Sequence, residues 1–539
     1  MRTFPLCLLL ACGGDDPETS TTPDDTPTDS HTDTDTGSAT PTPTADTSST
    51  GDTSPHTGTV PELPDELNVL MIVVDDLSWS GLSSSVVSEG NPSDYHQTPR
   101  LDQLADQGTV FTRTWAAPVC VPGRAIAVTG QHASTHTLYY NTLFTTDDPE
   151  RLLHPADTSV QLPAAATTVA ERFRDHGYRT GHFGKWHLGG VADGTDPLSQ
   201  GFDVNVGGND EGKISGGGDG HFAQDDGSFI GLPGMGANGQ AGQFSTDRLL
   251  DEAIAWLLDD PSQPTFMHLC PWAMHLPMQA PPEDLAHFDG VPLGTRHDST
   301  VYAAMMWNLD RNLGRLFDTL EATDDPRAPG LSLADTTVVL LTSDNGGQGG
   351  YENVGIVLES REHHTTNLPL SGGKGTLYEG GMRVPMIVVG PSVPAAQSIQ
   401  TPVQLADVVP TLLDLAGLPP AADVDGDSLV PLLQGKTWER EAVLYHWPTY
   451  MTADQGTWRS RPGSLMHDGQ YKLWFDWETR TAALYDLDAD ITEQTDLSTS
   501  QRAIVEDMMG ELVGWLEDTE ANLPYDKVTK EEVPLPHIP

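Results

Sequence analysis

The run Leu67-Asn68-Val69-Leu70-Met71-Ile72-Val73-Val74 narrows the folds open to this chain more than any other segment. It is almost wholly apolar and does not alternate, so neither face is meant for water. A strand buried on both faces belongs in a parallel or mostly parallel sheet, because antiparallel sheets commonly keep one face solvated. Similar runs occur at residues 265–270, 337–342 and 385–389. Between the runs, residues 100–107, 168–176, 246–258, 301–320 and 405–415 carry apolar side chains at helical spacing. This alternation predicts an α/β domain, a large mixed but mostly parallel sheet flanked by helices on both faces. Ligands of such sheets bind beyond the carboxyl ends of the strands. Asp75-Asp76 and Asp344-Asn345 both sit at such ends.

The pattern changes near residue 435. Residues 443–447, 465–467 and 471–474 are short and strand-like, Asp468-Gly469 is a hairpin signal, and residues 502–516 read as a helix. Residues 67–435 are therefore expected to form the α/β domain, and residues 436–539 a smaller α+β domain packed on it.

Charge then excludes one class of partner. Among 539 residues, 78 are acidic and only 27 are Lys or Arg, a net −51. Nucleic-acid binding needs a dense basic face, so it is excluded. No apolar run approaches the roughly 20 residues of a membrane span. Residues 13–66 hold 13 of the acidic residues and no Lys or Arg, in a background of Thr, Ser, Pro and Gly. Such a segment buries too little apolar area to fold and is expected to be a disordered tether. Residues 1–12 resemble a secretory signal, with Leu9-Leu10-Ala11-Cys12 similar to a bacterial lipobox. The chain is thus expected to be exported, as a cell-envelope lipoprotein held through a lipid on Cys12 or as a periplasmic or extracellular protein. Of its four cysteines, Cys7 would leave with the signal. Cys120 and Cys270 would remain, and a lone pair in an oxidising compartment usually forms a disulfide. The surroundings of Cys120 point to another use.

Adjacent carboxylates closing an apolar strand are costly unless something neutralises them. Thr342-Ser343-Asp344-Asn345-Gly346-Gly347 closes another apolar strand with a further carboxylate and an amide. Asp75, Asp76, Asp344 and Asn345 offer only oxygen donors, the set a hard divalent cation prefers, Ca²⁺ or alternatively Mg²⁺.

Cys120-Val121-Pro122-Gly123-Arg124 resembles the Cys-x-Pro-x-Arg signature of the type I sulfatases, in which the cysteine is oxidised to formylglycine. The block Gly177–Gly189, containing Gly184-Lys185-Trp186-His187, looks like the family's second signature. His275-Leu276-Pro277 resembles its histidine loop. Leu370-Ser371-Gly372-Gly373-Lys374 and Glu379-Gly380-Gly381-Met382-Arg383 resemble later blocks. Leu484-Tyr485-Asp486-Leu487 resembles the C-terminal subdomain. The likeness runs in order from residue 67 to about 500. One departure follows Thr129-Gly130, where the family usually shows Pro and then His-Gly and this chain has Gln131-His132-Ala133-Ser134-Thr135-His136-Thr137. It is expected to reshape the substrate pocket.

The resemblance implies an alkaline-phosphatase-like fold and hydrolysis of sulfuric esters. It implies formylglycine at Cys120, with one hydroxyl of its hydrate attacking sulfur and the other later expelling sulfate. The cation would be held by Asp75, Asp76, Asp344, Asn345 and the formylglycine oxygen of Cys120. Arg124 would fix the formylglycine, Lys185 bind sulfate and His187 take a proton during discharge. His275, as general acid, and Lys374 would hold the leaving oxygen. Partners would be a formylglycine-generating enzyme and a sulfated small molecule or oligosaccharide, with carbohydrate sulfate preferred. The alternatives are a phosphonate or phosphate monoester hydrolase of the same superfamily, and a surface binding lipoprotein without catalysis. His132, His136, His268, His363 and His364 receive no role, and His363-His364 reads as exposed loop.

Overall fold

The computed structural model describes residues 62–140, 150–214, 220–356, 365–440, 442–452 and 458–536. The expected signal, Cys12, most of the tether and His363-His364 lie outside the described residues.

The long apolar run forms β1 (Asn68–Val74), every residue of which is buried. Eight further strands join it: β2 (Thr109–Trp115), β3 (Arg179–Gly184), β4 (Val204–Val206), β5 (Thr265–Cys270), β6 (Thr337–Ser343), β7 (Arg383–Val389), β8 (Gln397–Ile399) and β9 (Val403–Gln404). Their order is β9-β2-β7-β6-β1-β5-β3-β4, with β8 also paired to β2. β7 runs antiparallel to both β2 and β6, and the other pairings are parallel. The sheet is therefore mixed and mostly parallel, as the apolar runs predicted. Helices include α1 (Pro99–Gln107), α2 (Cys120–Thr129), α3 (Ser245–Asp259) and α4 (Thr300–Ala322). Two apolar cores, built on residues such as Met71, Phe111 and Trp186 in one and Ile72, Leu309 and Leu341 in the other, pack in the folded unit.

This topology gathers the chemistry on one edge. β1, β2, β3, β5 and β6 share a direction, so the segments after each leave from the same side. Asp75, Cys120, Lys185, His275 and Asp344 all follow those strands. β7 runs the other way, so Lys374 and Glu379 reach this edge by preceding it.

The C-terminal part forms a four-stranded antiparallel sheet of β10 (Val443–Trp447), β11 (Gly463–Asp468), β12 (Tyr471–Asp476) and β13 (Thr481–Asp486). Helix α5 (Arg502–Asp518) covers it through Met508, Leu512 and Leu516. A buried ion cluster ties it to the large sheet: Lys472 Nζ lies 2.9 Å from Glu379 and 2.7 Å from Glu493. The described residues belong to one compact unit. Among the described residues, no helix is long and apolar enough to cross a membrane.

Candidate active site

Helix α2 explains why the five residues around Cys120 have this composition. Cys120 is its first residue, so the thiol sits at the helix N-terminus, where the peptide dipoles favour negative charge. Pro122 lies in the first turn, where its missing N–H costs no helical hydrogen bond. Gly123 packs so closely that an added Cβ would come within 2.0 Å of the Asp344 carbonyl. Arg124 stands one turn beyond Cys120 and therefore on the same helix face. Its Nε lies 2.8 Å from Asp344 Oδ2 and its Nη2 3.7 Å from Asp75 Oδ1, and Nη1 donates to the Lys185 carbonyl at 2.8 Å.

Asp75, Asp76 and Asp344 are each fully buried. Ligand atoms of these three and of Cys120 all lie within 4.8 Å of one another. Asp76 adopts the left-handed region, φ 58°, and its N–H donates to Asp344 Oδ1 at 3.2 Å. A non-glycine residue held there stores strain of about 1–3 kcal/mol, which the surrounding contacts must offset. Lys185 Nζ lies 2.6 Å from Asp75, and Lys374 Nζ 2.6 Å from Asp76. Asn345 Nδ2 donates to Asp76 at 2.7 Å, while its Oδ1 is buried with no hydrogen-bond partner. An orphaned buried oxygen beside three carboxylates fits a hard divalent cation. The sequence-predicted metal set is therefore brought together.

Burial, reinforced by Asp75, pushes the Asp344 carboxyl up to about 6, against the pull of Arg124 and Lys185. Burial would likewise raise Asp76, but Lys374, His275 and Lys185 together hold it below the usual carboxylate range. A proton on Asp344 competes with a cation, so affinity is full above pH 6 and falls as the pH drops through that value. Calorimetric titration with Ca²⁺ should give about tenfold weaker binding at pH 5 than at pH 7. Equal affinities would show that Asp344 is not a ligand. A cation bound only to the folded chain should also raise the unfolding midpoint, by about 2.7 kcal/mol of stability at a hundred times Kd. Scanning calorimetry with Ca²⁺ and with chelator checks this.

Cys120, His187, His275 and Lys374 line one recess of about 260 Å³. Lys185 and His187 follow the end of β3, and His187 turns at φ 62°. The wall also includes Tyr140, Gln348, Met451 and Arg459, which sequence reasoning missed. Gln348 had a signal, following directly on Gly346-Gly347, and its Nε2 donates to Asp76 at 2.7 Å. Arg459 comes from the C-terminal part and donates to Tyr351 Oη at 3.1 Å. Tyr351 Oη in turn donates to the Lys374 carbonyl at 2.9 Å. Residues 131–137, just after Gly130, do not line this recess, contrary to expectation. His132 packs edge-on against Trp515 of α5, and its N–H donates to Asp425 at 2.7 Å. Cys120 and Cys270 are both buried free thiols, not a disulfide.

A model of the family described as sulfatase matches residues 67–418. A model of the C-terminal part of N-sulphoglucosamine sulphohydrolase matches residues 373–519. A sulfatase of Formosa agariphila is 29% identical over 537 residues, covering 87% of this chain and 92% of that protein. The N-acetylgalactosamine-6-sulfatase of Homo sapiens is 28% identical over 415 residues, covering 73% and 71%. Among solved structures, that of Ps i-CgsB in complex with k-i-k-neocarrahexaose superposes with a TM-score of 0.65 at 26% identity, covering 84% of this chain and 93% of that one.

Proposed function

Because the chain belongs to the sulfatase family and is a sulfuric ester hydrolase, we propose that it removes sulfate from a carbohydrate, using formylglycine made from Cys120 and a divalent cation. The observation that carries this reading is the junction of the buried carboxylate cage with the recess, at the N-terminus of α2.

The Cys120 thiol itself is a poor nucleophile. Burial, with Asp75 next, pushes it up to about 12, so it stays protonated at neutral pH. Oxidation to a hydrated aldehyde would replace it with hydroxyls at the same place. A cation held by Asp75, Asp76, Asp344 and Asn345 would supply positive charge for a sulfate oxygen and lower the pKa of a nearby hydroxyl. Arg124 holds Asp344 from behind. Lys185 and Lys374 stand on Asp75 and Asp76, placed to bind the remaining sulfate oxygens.

Burial, followed by the nearby Lys residues, pushes the His187 and His275 imidazoles well below their usual range. A neutral His187 is ready to accept a proton from the hydrated aldehyde. The negative charge of a bound ester opposes Lys374 and Lys185, and so favours the protonated His275 that a leaving oxygen needs. His275→Ala should therefore lower kcat by about 10²–10⁴ on a sulfated sugar, whose alkoxide leaves poorly. On an activated aryl sulfate the loss should be far smaller. Parallel kinetics on the two substrates check this, and equal losses would remove the acid role.

Two things support carbohydrate. Similar proteins are named for a sulfated sugar or were solved with an oligosaccharide. In this chain the wall combines an aromatic face, Tyr140, with the hydrogen-bonding groups of Gln348 and Arg459, a mixture suited to a sugar ring. The test is a panel of sulfated mono- and disaccharides with an aryl sulfate and a phosphonate monoester as controls. Mass spectrometry of the tryptic peptide 114–124 reads the state of Cys120. Turnover by protein with an unmodified thiol would refute the nucleophile. Faster cleavage of the phosphonate would move the assignment to the phosphonate branch.

A further inference from the structure

The charges around the candidate active site fall into balanced groups, and one cation lies outside them. Arg124, Lys185 and Lys374 stand on the three buried carboxylates, at 2.8 Å from Asp344, 2.6 Å from Asp75 and 2.6 Å from Asp76. Three positive charges thus meet three negative ones. A sulfate monoester and the deprotonated hydroxyl that attacks it add two negative charges, which match the proposed divalent cation. Arg459 belongs to neither group, yet its side chain lines the recess. No Asp or Glu is among the described residues that line it, in a chain where 78 acidic residues face 27 basic ones.

Several contacts fix Arg459 beside Lys374. It lies on the short strand Trp458–Ser460, which pairs with Met451–Thr452. Its guanidinium lies over the Tyr351 ring, 5.0 Å from the centroid, and Nη1 donates to Tyr351 Oη at 3.1 Å. Tyr351 is wholly buried, and its Oη donates to the Lys374 carbonyl at 2.9 Å. The phenol thus links the guanidinium to the backbone of a residue that stands on the carboxylates. The next residue, Gly375, makes the approach possible. It adopts φ 87°, and a Cβ there would come within 2.2 Å of Met451 Sδ and 3.2 Å of Arg459 Cδ. A side chain at 375 would push the strand, and Arg459 with it, away from the recess.

We propose that Arg459 binds a second anionic group of the substrate, so that the favoured sulfate ester has a uronate carboxylate or another sulfate within the span of a disaccharide. The inference rests on the proposed function and narrows its substrate class. A guanidinium stays charged at any working pH and matches carboxylate or sulfate bidentately, whereas a neutral hydroxyl gains little from that charge. Anchoring on a buried phenol also lowers the entropy cost of holding the anion, because the long side chain is already placed.

Three compounds test this: N-acetylgalactosamine 6-sulfate, the same sugar with a second sulfate, and the same sugar joined to a uronate. If the panel favours another sugar, the set is built on that sugar. The readout is kcat/KM for each doubly charged compound divided by that for the singly charged one, so anything Arg459 does for both cancels. For at least one doubly charged compound the wild-type ratio should be about ten or more, as expected for a charge-assisted bond. Arg459→Gln should bring that ratio to within about threefold of unity, through KM rather than kcat. Arg459→Lys, which keeps the charge and loses the fork, should fall between. The compound whose ratio collapses tells carboxylate from sulfate. A wild-type ratio near unity, or a ratio that survives in the Gln variant, overturns the proposal. So does a loss in kcat alone on all three compounds, which is what a merely structural link through Tyr351 to Lys374 would give. If the Gln variant does not fold, the wild-type ratio and the Lys variant still decide. Wild-type protein that hydrolyses no sulfate ester would refute the proposed function instead. Calorimetric Kd values for the same compounds then carry the test of Arg459, and a Kd ratio unchanged by the Gln substitution overturns it.

Discussion

Cys120→Ala should abolish turnover, by about 10⁴-fold or more, while leaving the protein folded. The side chain is small and lies at the first residue of α2, so its loss removes no helical hydrogen bond and leaves little cavity. The Asp344–Arg124 contact, one turn along the same face, does not depend on the thiol. In the proposed mechanism the chemistry depends on it entirely, because no other described side chain facing the recess can become an aldehyde hydrate. Kinetics on an activated aryl sulfate, with circular dichroism and the unfolding midpoint as controls, give the result. A folded variant that keeps more than about a hundredth of the wild-type kcat would mean that the nucleophile lies elsewhere.

Asp344→Ala should do something different and lose stability as well as activity. Arg124 is 2% exposed, and its nearest carboxylate is Asp344 at 2.8 Å. With that partner gone, the next is Asp75 at 3.7 Å, already engaged by Lys185 at 2.6 Å. Breaking a buried pair from one side typically costs about 3–5 kcal/mol, because an uncompensated charge stays in the interior. Urea unfolding in chelator isolates this cost from any lost cation. Asp344→Asn keeps the shape and a hydrogen-bonding oxygen, so it should be milder in stability and equally poor in cation affinity. An unchanged midpoint for the alanine variant would show that Arg124 finds water or another partner.

The strands legible in the sequence were those buried on both faces. Continuous apolar runs gave β1, β5, β6 and β7 to within a few residues, because such sequence has no other stable place. β2 was silent, since Thr109, Thr112 and Thr114 interrupt its apolar residues although all three are buried. Helix α2 was silent too. Its Pro, Gly and β-branched residues argue against a helix, and packing against Asp344 and the core overrides them. The carboxylate cluster and the position of Cys120 beside it were legible because they are local groups that follow strand ends. Tyr140, Gln348, Met451 and Arg459 were not, since their meeting depends on how distant loops fold over the sheet edge. The buried contact between His182 and His268 was hidden for a related reason. The two are 86 residues apart, and only the register of β3 on β5 joins them. The segment after Gly130 misled, because a departure close in sequence to Cys120 was expected to be close to its recess.

The recess wall has a consequence for how such a protein can diversify. The groups proposed to touch the reacting atoms are carried by the large sheet and the segments at its edge, whereas Met451 and Arg459 arrive from the C-terminal part. Substitution in that later stretch can alter what the recess admits without touching the carboxylates, Lys185 or the helix that starts at Cys120. Selection can therefore change the sugar while inheriting the reaction, and a search for altered specificity should randomise residues 451–459 before any position on the sheet edge.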